Sequence, residues 1–197
     1  MPPPNDRRRA QLADAAIALL VEVGVHGVTH RAVDARAGLP AGTTSNYFRS
    51  REALLVAAAQ RVVELHQADM RQAAVGHLPE GDPRERAIEL IAGSLLLAAT
   101  AQRDRYLAVF ELRLESLRRP VLAETLAGLM DATARFTAGY HESLGLDIPP
   151  DAVPLLMVLY GGALFTLVSA PPGSVTEATT RTLAATIVRG ALAAAGG

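Results

Sequence analysis

The sequence predicts an all-α protein of about nine helices, and three observations carry that expectation. Half of the 197 residues are apolar while aromatics make up only 4%, so the interior has to be built mainly from Leu, Ala and Val, which favours helices over sheets. Apolar residues recur at spacings of three and four along successive segments, and no segment alternates with period two for long enough to make a convincing strand. Gly, Pro and short polar residues punctuate those segments where helices start and stop.

Leu12, Ala16, Leu19, Leu20 and Val23 share one helical face, which places a first helix over about Arg7 to Val23, stopped by Gly24. Thr29 is a good N-cap for a short helix through Ala37, with Ala32, Val33 and Ala37 inward and Gly38 as its left-handed stop. After the Leu39-Pro40 turn a second short helix is expected from Pro40 or Ala41 to Tyr47, and Ser50 caps a long one from Arg51 to about Val75, ending at Gly76. A Pro- and Gly-rich loop (HLPEGDP) follows, and Asp82-Pro83 opens a helix to about Ala101. Further helices are expected over Asp104 to Leu117, Val121 to Leu144, Asp151 to Ala170 and Ser174 to about Ala195.

Composition narrows the function. The chain has no cysteine, which removes disulfides, thiolate metal sites and cysteine nucleophiles and fits a cytoplasmic location. Residues 1–61 carry eight Arg against five acids, net +3, whereas residues 62–197 carry eleven Arg against fifteen acids, net -4. An anionic partner for the first third is therefore expected. The start, MPPPND followed by Arg7, Arg8 and Arg9, lacks the apolar core of a secretion signal and reads as a disordered basic arm over 1–6, with the three arginines either solvated or reaching a minor groove. Residues 152–176 are uncharged and long enough to span a bilayer. Flanking Asp151 and Glu177, with Pro154 and Gly161-Gly162 inside the run, favour a helix buried in an interface instead, so no membrane partner is expected.

A longer helix followed by two short ones joined at Gly38, with another long helix after them, forms a three-helix unit of helix-turn-helix type and its continuation. Its residues, GVTHRAVDARAGLPAGTTSNYFRSREALL from Gly27 to Leu55, resemble the DNA-binding segment of the TetR/AcrR family of transcriptional regulators. The resemblance rests on Thr29, Ala37-Gly38-Leu39, Gly42-Thr43, Tyr47-Phe48 and Arg51-Glu52-Ala53-Leu54, and covers roughly residues 7–61. It implies phosphate contacts by Thr29, Tyr47 and Arg51, and base contacts by His30, Ala41, Gly42, Thr43, Ser45 and Asn46. Short polar side chains in a helix that enters the major groove suit that role, and helix N-terminal amides suit phosphates. Asn46 could bond adenine in a bidentate way, and Phe48 is expected in the core with Tyr47 half-exposed. Two positions depart from the family: Ser45 replaces a common aromatic, and Thr44 stands where a buried aliphatic is common, which suggests a threonine bonded back to a helix carbonyl or a slightly shifted helix.

The domain organisation expected is an arm over 1–6, a DNA-binding domain over 7–55 and a helical bundle for ligand binding and dimerisation over 56–197. Candidate lining residues for a small-molecule effector are His66, Leu96, Tyr106, Phe110, Arg113, Met130, Phe136 and Tyr140, for which ordinary core packing is the competing reading. The resemblance also places a homodimer interface on the last two helices, through Tyr160, Gly161, Leu164, Leu183 and Ile187. The function expected is a ligand-responsive repressor that binds a palindromic operator as a homodimer and is released when an effector tilts the Arg51–Val75 helix. No cofactor or metal is expected: His26 and His30 are four apart, but His26 lies in a turn. An enzyme finds no support in the motifs, since no Gly-x-Ser-x-Gly, phosphate-binding glycine loop, His-Glu-x-x-His or Glu-x-x-His occurs. A sensing module without DNA binding is the other competing class.

Overall fold

A computed structural model describes residues 4–75 and 81–195. Its helices are α1 (Pro4–Gly27), α2 (His30–Arg36), α3 (Thr43–Tyr47), α4 (Arg51–Val75), α5 (Pro83–Ala99), α6 (Arg103–Ser116), α7 (Pro120–Ser143), α8 (Val153–Ser169) and α9 (Glu177–Ala195), with one 3-10 turn at Pro150–Ala152. Among the described residues there is no strand. The chain therefore has the all-α class read from its sequence.

Caps explain most boundaries, and the differences from expectation have local causes. Gly24 breaks α1 with φ 69° and ψ 177°, but helical hydrogen bonding resumes for one more turn to Gly27 instead of stopping there. At the other end α1 begins at Pro4, so Asn5 and Asp6 are helical where an arm was expected; residues 1–3 of that arm lie outside the described residues. Thr29 Oγ1 accepts from the Ala32 amide at 3.1 Å and starts α2, which ends in two crossed bonds, Gly38 N to Ala35 O at 3.2 Å and Leu39 N to Asp34 O at 2.9 Å, around Gly38 at φ 66°. Gly42 also has positive φ, 90°, which no α-helical residue adopts. For that reason α3 begins at Thr43, later than the Pro40 or Ala41 expected. Asp82 accepts from the Glu85 amide ahead of Pro83, and Thr176, not Ser174, caps α9 by accepting from Thr179. The expected stop at Gly76 and most of the loop after it lie outside the described residues.

Two units organise the chain. The first comprises residues 1–66 and 104–129 and has a core of Leu12, Ala16, Leu20, Val28, Val33, Phe48, Leu54, Leu55, Ala58, Ala108, Leu112 and Leu122. Phe48 is 3% exposed, as its place behind α3 led us to expect, and Tyr47 is half-buried. The second comprises residues 67–103 and 130–197, in which α5, α8 and α9 pack together. Buried Leu95, Leu156, Leu164, Leu167, Val168, Ala184, Ile187 and Val188 form that layer. Among the described residues two helices, Asn5–Gly27 and Pro150–Ser169, are long and apolar enough to cross a membrane by length and composition. The first buries its Leu12, Ala16 and Leu20 face in the core.

Candidate nucleic-acid interface

The first unit holds α3 from three sides. At its N-terminus the Asp34 carboxylate, on α2 and only 3% exposed, accepts from the Gly42 amide at 2.7 Å, the Thr44 amide at 2.7 Å and the Thr44 hydroxyl at 2.5 Å. Burial alone would raise the pKa of Asp34, but the bonds from Thr44 and Gly42 outweigh it and hold the carboxyl below its ordinary value. At the C-terminus of α3, His30 Nε2 donates to the Phe48 carbonyl at 2.7 Å. From α1, the Arg9 guanidinium donates to the Tyr47 carbonyl at 3.3 Å and lies 4.9 Å from the centre of the Phe48 ring. Arg9 is thus part of the helical framework and not of a basic arm.

Several expectations are corrected by this geometry. Thr44 is fully buried and bonded to Asp34, so it neither bonds back to a helix carbonyl nor leaves a polar gap. The amides of Gly42 and Thr44, which a helix N-terminus could offer to a phosphate, are occupied by the protein's own carboxylate. His30, expected on a base, is turned to Phe48 and half-buried. Arg51, expected on a phosphate, turns inward: its Nε donates to Val28 O at 2.8 Å and its Nη2 to Val25 O. Those carbonyls belong to the last turn of α1 and the residue after it, which need donors.

The remaining site residues face solvent. Thr29, Ala41, Gly42, Ser45 and Asn46 are exposed, and Thr43 is half-buried with its hydroxyl donating to Pro40 O at 2.6 Å. The Ser45 and Asn46 side chains make no hydrogen bond among the described residues, so their polar side-chain atoms are available to a partner. The sequence reading missed Asp34, an acid at an inward position of a short helix, whose only signal was its place beside Val33. It also passed over Arg31 and Arg49, exposed arginines flanking the turn with no ion pair or hydrogen bond among the described residues.

The effector candidates fall in both units. In the first, Tyr106 Oη lies 2.9 Å from His66 Nδ1 with the rings edge to face, Phe110 is half-buried and Arg113 is exposed. In the second, Phe136 and Tyr140 stack at 6.2 Å, Arg71 lies 5.4 Å from the centre of the Phe136 ring, Leu96 is half-buried and Met130 is exposed. A cleft of about 420 Å³ in the first unit is lined by none of these but by His26, Glu115, Arg118 and Arg119. Among the described residues no group of three His, Cys, Asp or Glu side chains is placed to hold a metal.

Of the interface candidates, Leu164 and Ile187 are 6% and 4% exposed within a single chain, so their side chains are spent in its own core. Helical register decides this: Leu156, Leu164, Leu167 and Val168 line the inward side of α8, while Leu155, Val158, Leu159 and Phe165 point outward. Tyr160, half-buried, has its hydroxyl 2.8 Å from Ser94 Oγ, and burial pushes its pKa up to about 12 despite that bond. Gly161 and Leu183 are half-buried.

Residues 12–58 match the sequence profile of bacterial regulatory proteins of the tetR family, and residues 82–194 match that of the tetracyclin repressor-like C-terminal domain. The chain belongs to the TetR family. Among its relatives is the HTH-type transcriptional regulator BetI of Escherichia coli strain K12, 32% identical over 90 residues, a match that spans 44% of either protein. A TetR-family transcriptional regulator from Mesorhizobium loti shares the fold over 98% of each chain, with a TM-score of 0.72 at 15% identity. The multidrug binding protein EbrR in complex with ethidium is 25% identical, with a TM-score of 0.66 over 91% of this chain and 98% of EbrR. As a TetR-family member the chain is a DNA-binding transcription regulator.

Proposed function

We propose that this TetR-family chain is a ligand-responsive repressor that binds a palindromic operator as a homodimer and leaves it when a small molecule binds the helices beyond α3. The observation that carries the reading is the pair Ser45 and Asn46, exposed and unbonded on a short helix whose buried and bonded groups all face inward. Asn46 would pair with a base edge, and Ala41 and Gly42 would allow close approach or a methyl contact. Thr29 fits a phosphate contact because its oxygen accepts the cap bond while its hydroxyl hydrogen stays free to donate, and half-buried Tyr47 completes the pair. Arg31 and Arg49 take over the cationic role expected of Arg51.

The outward face of α8, Leu155, Val158, Leu159 and Phe165, would bury itself against a second copy. A two-fold dimer offers two copies of α3, which need a separation of about 34–36 Å to enter successive major grooves. Helix α4 runs unbroken from Arg51 to Val75 and carries residues of both units, which suits it to transmit an effector's preference for one spacing. EbrR binds ethidium and proflavin, so planar aromatic cations are the first effectors to try, with the Phe136–Tyr140 stack as a surface for them.

Selection of bound sequences from a random duplex library tests the reading. A palindromic winner is expected, bound about tenfold or more weakly by Asn46→Ala and released by saturating effector. Enrichment of no palindrome would sink the repressor reading.

A further inference from the structure

We propose that His30 and Asp34 act together as positioning residues that fix the rotation of α3, and with it the direction in which Ser45 and Asn46 face DNA. The inference rests on the DNA-binding reading above and assigns roles to two residues that touch no base in it.

Helix α3 has five residues, too few to hold a helix by its own hydrogen bonds. Its two ends are instead held by one neighbour. Asp34 takes the Gly42 and Thr44 amides and the Thr44 hydroxyl, and His30, four residues earlier and so on the same face of α2, donates to the Phe48 carbonyl. A carboxylate thus sits at the positive end of α3 and an imidazole donor at its negative end, the arrangement that the helix dipole favours.

What matters for function is direction. An aliphatic residue at position 44, common in the family, would hold α3 by contact that has no preferred angle. Hydrogen bonds weaken steeply as they bend, and the bonds of Thr44 are made to a buried charge. Rotation of α3 about its axis would strand the Asp34 carboxylate in the core. Ser45 and Asn46 follow Thr44 directly, so the angle set at Thr44 is the angle at which they leave the protein surface. Packing of Phe48 and the cation over its ring keep α3 seated, whereas the α2 side chains set its turn.

The test uses the full-length protein, the duplex enriched by wild type and a scrambled duplex at the same salt, with thermal unfolding recorded for every variant. Wild-type enrichment reports on the DNA-binding reading alone; the variants report on positioning. For Asp34→Ala, affinity for the enriched duplex is expected to fall about tenfold to a hundredfold, while affinity for scrambled DNA changes less than about twofold. A purely structural role would lower both affinities in step with the folded fraction, and that outcome overturns the proposal. Should Asp34→Ala not fold, Thr44→Val and His30→Gln are read by the same ratio, and an unchanged ratio in both overturns it. The double variant Asp34→Ala with Thr44→Leu is expected to recover melting temperature but not the wild-type ratio. Full recovery of the ratio would mean that any filler serves, which also overturns the proposal.

Discussion

The two units are stabilised by different chemistry. In the first, buried and half-buried polar groups are bonded: Asp34 to Thr44 and Gly42, Arg51 to Val25 and Val28, and Glu115, 5% exposed, to Arg119 at 2.5 Å. Bonding to Arg119, against the opposing effect of burial and with Arg51 and Arg118 nearby, holds the Glu115 carboxyl below its ordinary value. The second unit pairs some polar groups, such as Tyr160 with Ser94, but among the described residues it leaves Arg86 Nε, Tyr140 Oη and His141 Nδ1 buried without hydrogen-bond partners. Such groups destabilise the unit that contains them. Under the proposed function, a unit that reads bases would gain from a single geometry enforced by directional bonds, and one that accommodates ligands would tolerate polar atoms whose partners the fold does not supply.

The largest effect expected from breaking this contrast is Phe48→Ala, which removes the anchor behind α3. A loss of about 4 kcal/mol in unfolding free energy is expected from denaturant titration. Loss of under about 1 kcal/mol would mean that α3 is held by its bonds alone.

His141 gives the second unit a distinctive response to pH. Burial lowers its pKa to about 4, below the unfolded value of about 6.5. The folded state thus resists protonation, so stability is complete above pH ~6.5 and is lost as pH falls towards ~4, by roughly 3 kcal/mol at the acid limit. His141→Phe is expected to flatten that slope, and an unchanged slope would assign it to other groups. Asp34 and Glu115, both lowered, contribute stability to the first unit that is complete above the ordinary carboxylate range and is lost as pH falls through that range towards their folded values.

Arg51→Ala comes next, at about 2 kcal/mol, because the Val28 carbonyl loses its donor and the Val25 carbonyl keeps only the Val28 amide. The salt dependence of DNA binding should stay unchanged for this variant, whereas Arg31→Ala or Arg49→Ala should reduce the slope by about one unit each with little effect on stability. A reduced slope for Arg51→Ala would return it to the phosphate role. Smallest of all, Asp147→Asn breaks the exposed Arg84 pair in the second unit and should cost under about 0.5 kcal/mol in the same titration.

Local chemistry was legible in the sequence. Thr29, Asp82, Gly38 and Pro83 act where short-range rules place them, because caps and turns depend on residues within one helical turn. Gly42 was harder, since its φ is decided by the turn it closes with Asp34 eight positions away. Within the site, the family resemblance singled out Ser45 and Asn46, and both are exposed. Arg51 could not be separated from Arg49 in that way, because a long flexible cation reaches whichever acceptor the fold brings near.

By itself the sequence determined the order of helices, their principal caps, the core side of α4 and, apart from Val23, which is 57% exposed, that of α1; the residues from Gly27 to Leu55 carried the resemblance to the family to which the chain belongs. The helices and caps follow from periodicity and from contacts between near neighbours in the chain, whereas the family follows from matching motif residues. Only the tertiary structure decided which side chains are spent inside: the polar Asp34 and His30 on the ends of α3, Arg51 on the end of α1, and the apolar Leu164 and Ile187 in the core of one chain instead of on its surface. The physical reason is that a side chain's partner is fixed by distance in space, and amphipathic patterns name a helix face without naming what lies against it.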